Sequence, residues 1–484
     1  MTQARAPGTT AAPVFRDGFC GASGRPYLLA AAILASALGF IDGTVVAIAL
    51  PAMRDSLGAG LVQAQWIHNA YMLTLSALIL VGGAAGDRFG LARVFGFGIS
   101  VFVVASMLCA LAPSPLFMIV ARAVQGLGAA IMVPGSLALI ARAYPRADRG
   151  RAIGIWAAAS ALTTAAGPII GGLALTLGGP EMWRWIFAIN LPLGGLALYL
   201  LFSRVERDVG DSAAQVDLPG AVTATLALLA LAWGLTTLDH GGGATAWLAG
   251  GAVLLLVFLW TQARSPHPMM PLTLFRSRVF AAANLLSFTL YSALAVMFFF
   301  MPMTFIAGWG QSEIEASAAF APMSVFIALL SARAGKLADR IGPAPLLTAG
   351  SLVVAAGYAT MALLAPFQDF WGHMLPAMCL VGLGMSAVVA PLSTAVMGAV
   401  TDAQSGIASG INNAVTRMAG LISVAAVGGL VASAYAASGG TASFGVTSDV
   451  AGHGAAMTAA FSTLAWVAAA LALLSAGLGA LTRT

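Results

Sequence analysis

Charge is what this 484-residue chain has least of: Asp, Glu, Lys and Arg together make up 8% of it, against about 25% in an ordinary soluble domain. So few charged side chains cannot cover a water-facing surface. Cysteine is equally sparse, and Cys20, Cys109 and Cys379 stand far apart with no paired spacing, so no disulfide framework is indicated. The five histidines, His68, His240, His267, His373 and His453, form no cluster with them, and no metal site is expected. There is no G-x-x-x-x-G-K-[ST] phosphate loop and hence no ATP engine in the chain. Neither an H-E-x-x-H pair nor a Ser/His/Asp arrangement at membrane depth points to an intramembrane hydrolase, so an enzyme is not expected.

What is abundant is apolar: 60% of the residues. Runs of about 20 apolar residues, enough to cross roughly 30 Å of hydrocarbon as helix, recur along the whole chain. Fourteen can be counted, from 27–50 at the start to 457–481 at the end. They are continuously apolar rather than alternating, which predicts helices and not a barrel. Loop charge supplies an independent check, because cytoplasmic loops carry the basic residues. With the N-terminus inside, Arg142, Arg146, Arg149 and Arg151 fall in one cytoplasmic loop and Arg264, Arg276 and Arg278 in another. Of the 22 Lys and Arg residues only Arg54 and Arg184 fall outside, and Arg122 and Arg417 lie within spans. The formal charge of +5 thus reflects orientation in the cell membrane, not nucleic-acid binding. An even number of spans leaves both termini cytoplasmic. The polar residues 1–26 read as a cytoplasmic tail, and the apolar stretch after them is too long for a signal-peptide core.

The chain contains an internal repeat. After the second span it reads Gly83-Ala-Ala-Gly-Asp87-Arg88-Phe-Gly90, and after the tenth Gly335-Lys-Leu-Ala-Asp339-Arg340-Ile-Gly342, with identical spacing of Gly, Asp, Arg and Gly. Both copies fall in short cytoplasmic turns, as expected of a transporter built from parallel repeats. Eight spans separate them, two more than a doubling of six requires. The expected domains are a six-helix bundle over 27–203, a linker with two extra transmembrane helices over 204–278, and a second six-helix bundle over 279–484.

Asp42 is the one carboxylate inside any apolar run, and a carboxylate at membrane depth is a functional-site hypothesis by default. It lies eight residues from the outer end of its span, ~12 Å, while Arg122 lies six from the outer start of the fourth, ~9 Å. The two opposite charges therefore share a depth. Arg122, Gln125, Gly126 and Ala129 lie on one helical face, giving the Arg a second polar group and room for close approach. A purely structural ion pair is the competing reading of Asp42.

These residues carry a resemblance. Asp42-Gly-Thr44-Val-Val-Ala-Ile-Ala-Leu50-Pro51 resembles the first-helix signature of the fourteen-helix drug:proton antiporter branch of the major facilitator superfamily. Arg122-Ala-Val-Gln125-Gly126-Leu-Gly128 is similar to its fourth-helix motif. Gly154, Gly167-Pro168 and Gly171-Gly172 resemble its fifth-helix antiporter motif, and Trp183-Arg184-Trp185-Ile-Phe-Ala-Ile-Asn190 the opening of its sixth helix. Leu91 and Ala92 replace the basic pair that usually follows the first cytoplasmic turn. The resemblance implies a proton-coupled exporter of lipophilic drugs, antibiotics or biocides, cationic or neutral, working by alternating access. Asp42 would hold the proton, with Arg122 and Gln125 coupling it. No cofactor is implied beyond the proton gradient, no partner beyond substrate and membrane lipid, and a monomer suffices. An uptake symporter or a membrane scaffold remains as an alternative.

Further candidates are less sharply marked. Gly83, Asp87, Arg88 and Gly90, with Gly335, Asp339 and Arg340, are expected to gate, and Asp87 and Asp339 to cap the helices that follow them. The glycines at one end of the fifth span suit a tight helix seam. Gly406, Gly410, Asn413, Arg417 and Gly420 form a small and polar stripe, so Asn413 and Arg417 are candidate cavity residues. Met297-Phe298-Phe299-Phe300-Met301 is expected to face lipid.

Overall fold

A computed structural model describes residues 19–206, 208, 210–211, 215–238, 243–401 and 404–483. Residues 1–18 of the expected tail, Arg207 of the charged linker and the side chain of Arg146 lie outside the described residues. The described residues contain no strand and 14 helical spans of membrane length: α1 Arg25–Leu57, α2 Leu61–Phe89, α3 Leu91–Ala110, α4 Pro115–Ala143, α5 Ala147–Gly178, α6 Pro180–Arg204, α7 Leu218–Thr236, α8 Ala244–Arg264, α9 Arg278–Gly308, α10 Glu313–Ile341, α11 Pro343–Phe367, α12 Phe370–Gly398, α13 Ser405–Ala437 and α14 His453–Ala480. A helix bonds its own backbone internally, the requirement hydrocarbon imposes.

Local chemistry sets the ends. Ser114 caps α4 by accepting from the Phe117 N–H, with Pro115 at the first helical position, where its missing N–H costs nothing. Ser312 and Glu315 form a reciprocal capping box that starts α10. Gly90 stands between α2 and α3 at φ 96, a conformation that side chains rarely adopt.

The repeat is visible in the packing. In the first half α2 and α3 pack on α4, α1 on α5 and α6, and α3 on α6. In the second half α10 and α11 pack on α12, α9 on α13 and α14, and α11 on α14, the same scheme displaced by eight helices. The protein is thus an all-α membrane protein of two six-helix bundles with an inserted pair. The bundles meet where α2 packs on α13, α5 on α10 and α1 on α9. The inserted helices α7 and α8 pack on each other, and α7 touches both α2 and α13, covering that one seam. Trp66 of α2, Trp233 of α7 and Trp247 of α8 stack in a row at centroid distances of 5.3 and 6.4 Å.

The two ends of the molecule differ. On the side away from the described termini the bundles are clasped. Gly172 of α5 lies against the backbone of Glu313, Thr176 bonds the Glu313 carboxylate at 3.1 Å, and the buried Arg54 guanidinium of α1 donates to the Phe444 carbonyl and to the Ser443 hydroxyl. On the terminal side α5 is loosely covered: only 12% of its apolar window is buried, against 33% for α6.

The Met297–Met301 segment corrects the expectation of lipid contact. Met297, Phe299, Phe300 and Met301 are at most 2% exposed and belong to the core where α9 meets α1, with Phe299 edge-on to His68 of α2 and Phe300 edge-on to Phe444. An apolar run in a membrane protein suits lipid and helix neighbours equally, so composition alone does not choose between them.

Candidate functional site

Asp42 and Arg122 meet. The Arg122 Nη1 donates to Asp42 Oδ2 at 2.6 Å, with both side chains 1% exposed, inside the first bundle. Gln125, one turn further along α4, locks the pair. It accepts from Arg122 Nη1 at 2.6 Å and donates through Nε2 to Asp42 Oδ1 at 2.9 Å. Both carboxylate oxygens are therefore engaged. Arg122 also donates through Nε to the Ile67 carbonyl, and its planar head lies 4.3 Å over the Tyr71 ring. Removing one partner of such a buried pair typically costs about 3–5 kcal/mol.

Two residues of this network were not singled out from the sequence. Ser106 of α3 accepts from Gln125 Nε2 at 2.9 Å and from Asn190 Nδ2 at 3.1 Å while donating to the Phe102 carbonyl, so its hydrogen-bonding capacity is filled. Asn190 closes the quoted sixth-helix motif, which was the available signal. A lone serine in an apolar helix leaves none. The close approach of α4 depends on glycine: a Cβ on Gly126 would stand 2.3 Å from the Tyr71 carbonyl oxygen, and one on Gly128 2.6 Å from the Phe102 nitrogen.

The fifth-helix glycines divide by position. Gly167 packs on Thr44 and Gly171 on Val45, holding α5 to α1 within the first bundle. Gly172 alone faces the second bundle, on Glu313 and Ser317, and Pro168 lies inside the helix beside Gly167. Gly154 borders open space, with no atom within 4 Å of a built Cβ.

The repeated turns differ from expectation in one respect. Asp87 does not cap α3, because α2 continues through it to Phe89; its carboxylate instead pairs with Arg142 at 2.7 Å on the surface. The capping carboxylate comes from the linker. Asp208 accepts from the Leu91 and Ala92 N–H groups at 2.6 and 2.9 Å, and the Asp211 N–H bonds the Asp87 carbonyl at 2.8 Å. Gly210 lies on the Arg88 carbonyl, and Gly83 borders the terminal-side cavity. Asp339 likewise caps nothing, since α10 runs on to Ile341; it is exposed, as is Arg340, and Gly335 faces Ala390.

In the second bundle the polar contact falls one residue from the expected place. Asn412 donates to Ser287 at 2.7 Å and to Asn284 at 3.2 Å, while Asn413 is exposed. Arg417 is partly exposed and has no hydrogen-bond or ion-pair partner among the described residues. No group of three or more His, Cys, Asp or Glu among the described residues could hold a metal ion.

The family model described as Major Facilitator Superfamily matches residues 32–424. Similar proteins include the multidrug resistance protein Stp of Mycobacterium tuberculosis, 32% identical over 83% of this chain and 75% of that protein. The puromycin resistance protein of Streptomyces alboniger is 32% identical over 96% of this chain and 95% of its own. The tetracenomycin C resistance and export protein of Streptomyces glaucescens is 31% identical over 85% and 77%. Among solved structures, the peptide-transporter-family protein PepTSo superposes with a TM-score of 0.67 at 15% identity, covering 95% of this chain and 97% of that one. The D-xylose-proton symporter does so with 0.64 at 17%, covering 94% and 96%. At such identities these two speak to the fold alone.

Proposed function

We propose, for a chain that belongs to the major facilitator superfamily and is thereby a multi-pass membrane transporter, that it exports lipophilic small molecules from the cytoplasm in exchange for protons. The observation that carries this reading is the buried Asp42–Arg122–Gln125 cluster in a pair of bundles clasped on the far side, an arrangement that leaves the terminal side to open as a cleft. The printed names of the relatives, resistance to and export of antibiotics, favour outward transport of drug-like compounds. The distribution of Arg residues favours a cytoplasmic location for both termini, which makes the open cleft cytoplasmic.

In the cleft-open state the Asp42 carboxyl group is held by Arg122. Opening the other side requires Gly172 to part from Glu313 and Arg54 from Phe444, and this moves α1 and α5 against the second bundle. If Arg122 leaves the carboxylate, an uncompensated charge remains in a dry setting, and proton uptake neutralises it. Return to the cleft-open state restores the guanidinium and releases the proton inside. Each pH unit supplies about 1.4 kcal/mol, and 100 mV about 2.3 kcal/mol per charge. No cofactor enters the cycle, and one chain contains both repeats, so a monomer is sufficient. The test is Asp42→Asn in proteoliposomes with an imposed pH gradient. Gradient-driven export should vanish while the protein remains folded and inserted, and substantial residual proton-driven export would sink the role.

A further inference from the structure

The seam between the bundles carries a partly exposed cation, not an anion, at mid-depth. Helices α2 and α13 run antiparallel along one seam, and contacts at both ends of the seam fix the register. On the terminal side Gly406 shares a cavity with Gly82, Gly83 and Gly86, and a Cβ on Gly410 would meet Leu80 at 2.9 Å. On the far side Gln65 donates to the Val424 carbonyl at 2.6 Å. Arg417 falls halfway between Gly410 and Val424 on the same face, which sets it level with Tyr71, the ring beneath Arg122. Arg417 is near enough for its charge to be felt at Tyr71 of α2 and at Tyr291 of α9.

Nothing in the described protein neutralises it. Arg417 has no hydrogen-bond or ion-pair partner there, and the described carboxylates other than Asp42 lie at helix ends or in loops. Asp42 itself is 2% exposed with both oxygens bonded, so it is not offered to a ligand. A cationic substrate beside Arg417 would be repelled and find no partner; an anionic group would pair with the guanidinium, whose fork matches a carboxylate.

Building on the export reading, we infer that Arg417 binds an anionic group of the transported molecule, and that the substrate class is lipophilic organic monoanions such as aryl carboxylates. This differs from the cationic or neutral cargo that the family resemblance implies. Exchange of one proton inward for one monoanion outward moves two charges per cycle, against one for a neutral compound and none for a monocation.

Three probes on one skeleton test this: pyrenebutyrate, its methyl ester and pyrenebutylamine. Binding to purified protein in detergent, read by pyrene fluorescence, separates the inference from the transport reading. Pyrenebutyrate should bind more tightly than the ester, and the amine most weakly. Arg417→Gln should weaken pyrenebutyrate about ten- to a hundredfold, the worth of one charge-assisted pair, and leave the ester within about twofold. Arg417→Lys should recover part of the loss. In proteoliposomes, pyrenebutyrate export should respond to an imposed membrane potential more steeply than export of the ester. Tighter binding of the amine than of pyrenebutyrate by the unmodified protein would overturn the inference. An equal loss for all three probes in Arg417→Gln, unrelieved by Lys, would also overturn it and assign Arg417 a structural role. Selective pyrenebutyrate binding without export of any probe would leave the anion site standing and refute the export reading instead.

Discussion

Gly172→Ala should tip the transporter toward its other state, because of all the fifth-helix glycines only this one lies between the bundles. A Cβ there would stand 2.6 Å from the carbonyl oxygen of Glu313 and 3.0 Å from its carbon, backbone atoms that cannot swing aside. Relief requires α5 and α10 to separate by several tenths of an ångström. Overpacking of this kind costs about 1–3 kcal/mol. The cost falls only on the clasped state, since the seam is parted in the other, so the ratio of open to clasped outer ends should rise about 5- to 150-fold at 1.4 kcal/mol per tenfold. The population can be read by pulsed electron paramagnetic resonance between spin labels at Leu177→Cys and Trp371→Cys, exposed positions near the outer ends of α5 and α12, with Cys379→Ala removing the partly accessible native thiol. The longer-distance population should grow in Gly172→Ala. In Gly154→Ala, where a Cβ meets nothing within 4 Å, it should stay at the parent level. An unchanged distribution in Gly172→Ala, or an equal shift in both, would refute the argument that this seam sets the balance.

Three further outcomes follow from the packing. Arg122→Lys keeps the charge but loses the Nε bond to Ile67 and the stacking on Tyr71, so proton-driven export should fall about tenfold, whereas Arg122→Ala should abolish it; equal loss would mean that the guanidinium's own contacts, and not its charge, are what matters. Asp208→Ala removes the carboxylate from two N–H groups of α3 at a cost of about 1 kcal/mol, so amide exchange at Leu91 and Ala92 should speed up about fivefold by mass spectrometry. Unchanged exchange would show that the cap is not held in solution. Phe300→Ala opens a cavity in a fully buried position, worth about 3–5 kcal/mol of packing, and should lower the melting temperature in detergent well below that of Leu285→Ala, whose residue is 51% exposed.

How much of this was legible beforehand depended on the physics behind each feature. The fourteen helices were readable because hydrocarbon thickness dictates the length of every span, and the chain has little else between them. That Asp42 and Arg122 share a depth could be reckoned from the rise per residue; that Gln125 bonds both could not, since it depends on which way an amide turns. The Asp208 cap was hidden because a linker has no periodicity, and Asp87 misled because helix ends are uncertain by a few residues and α2 continued past it. Phe299 and Phe300 misled for a different reason. In water an apolar side chain seeks the interior, but in lipid that preference disappears, and only the three-dimensional neighbours tell inside from outside. Arg417 was singled out by its helix stripe, yet its lack of a counter-charge among the described residues is a property of everything around it.

The inserted helices have a mechanical consequence. Since α7 grips α2 and α13 together and the tryptophan row ties α7 and α8 to α2, the two halves are bound along one edge as pages are bound at a spine. Rotation about that edge leaves those contacts nearly intact, while any motion that pulled α2 from α13 would have to strip α7 from one of them. The widest excursion must then occur along the opposite, unbound edge, between the terminal-side ends of α5 and α10. That fore-edge looks out sideways into the bilayer leaflet on the side of the termini. A molecule already dissolved among the acyl chains therefore meets the gap before it ever meets bulk water.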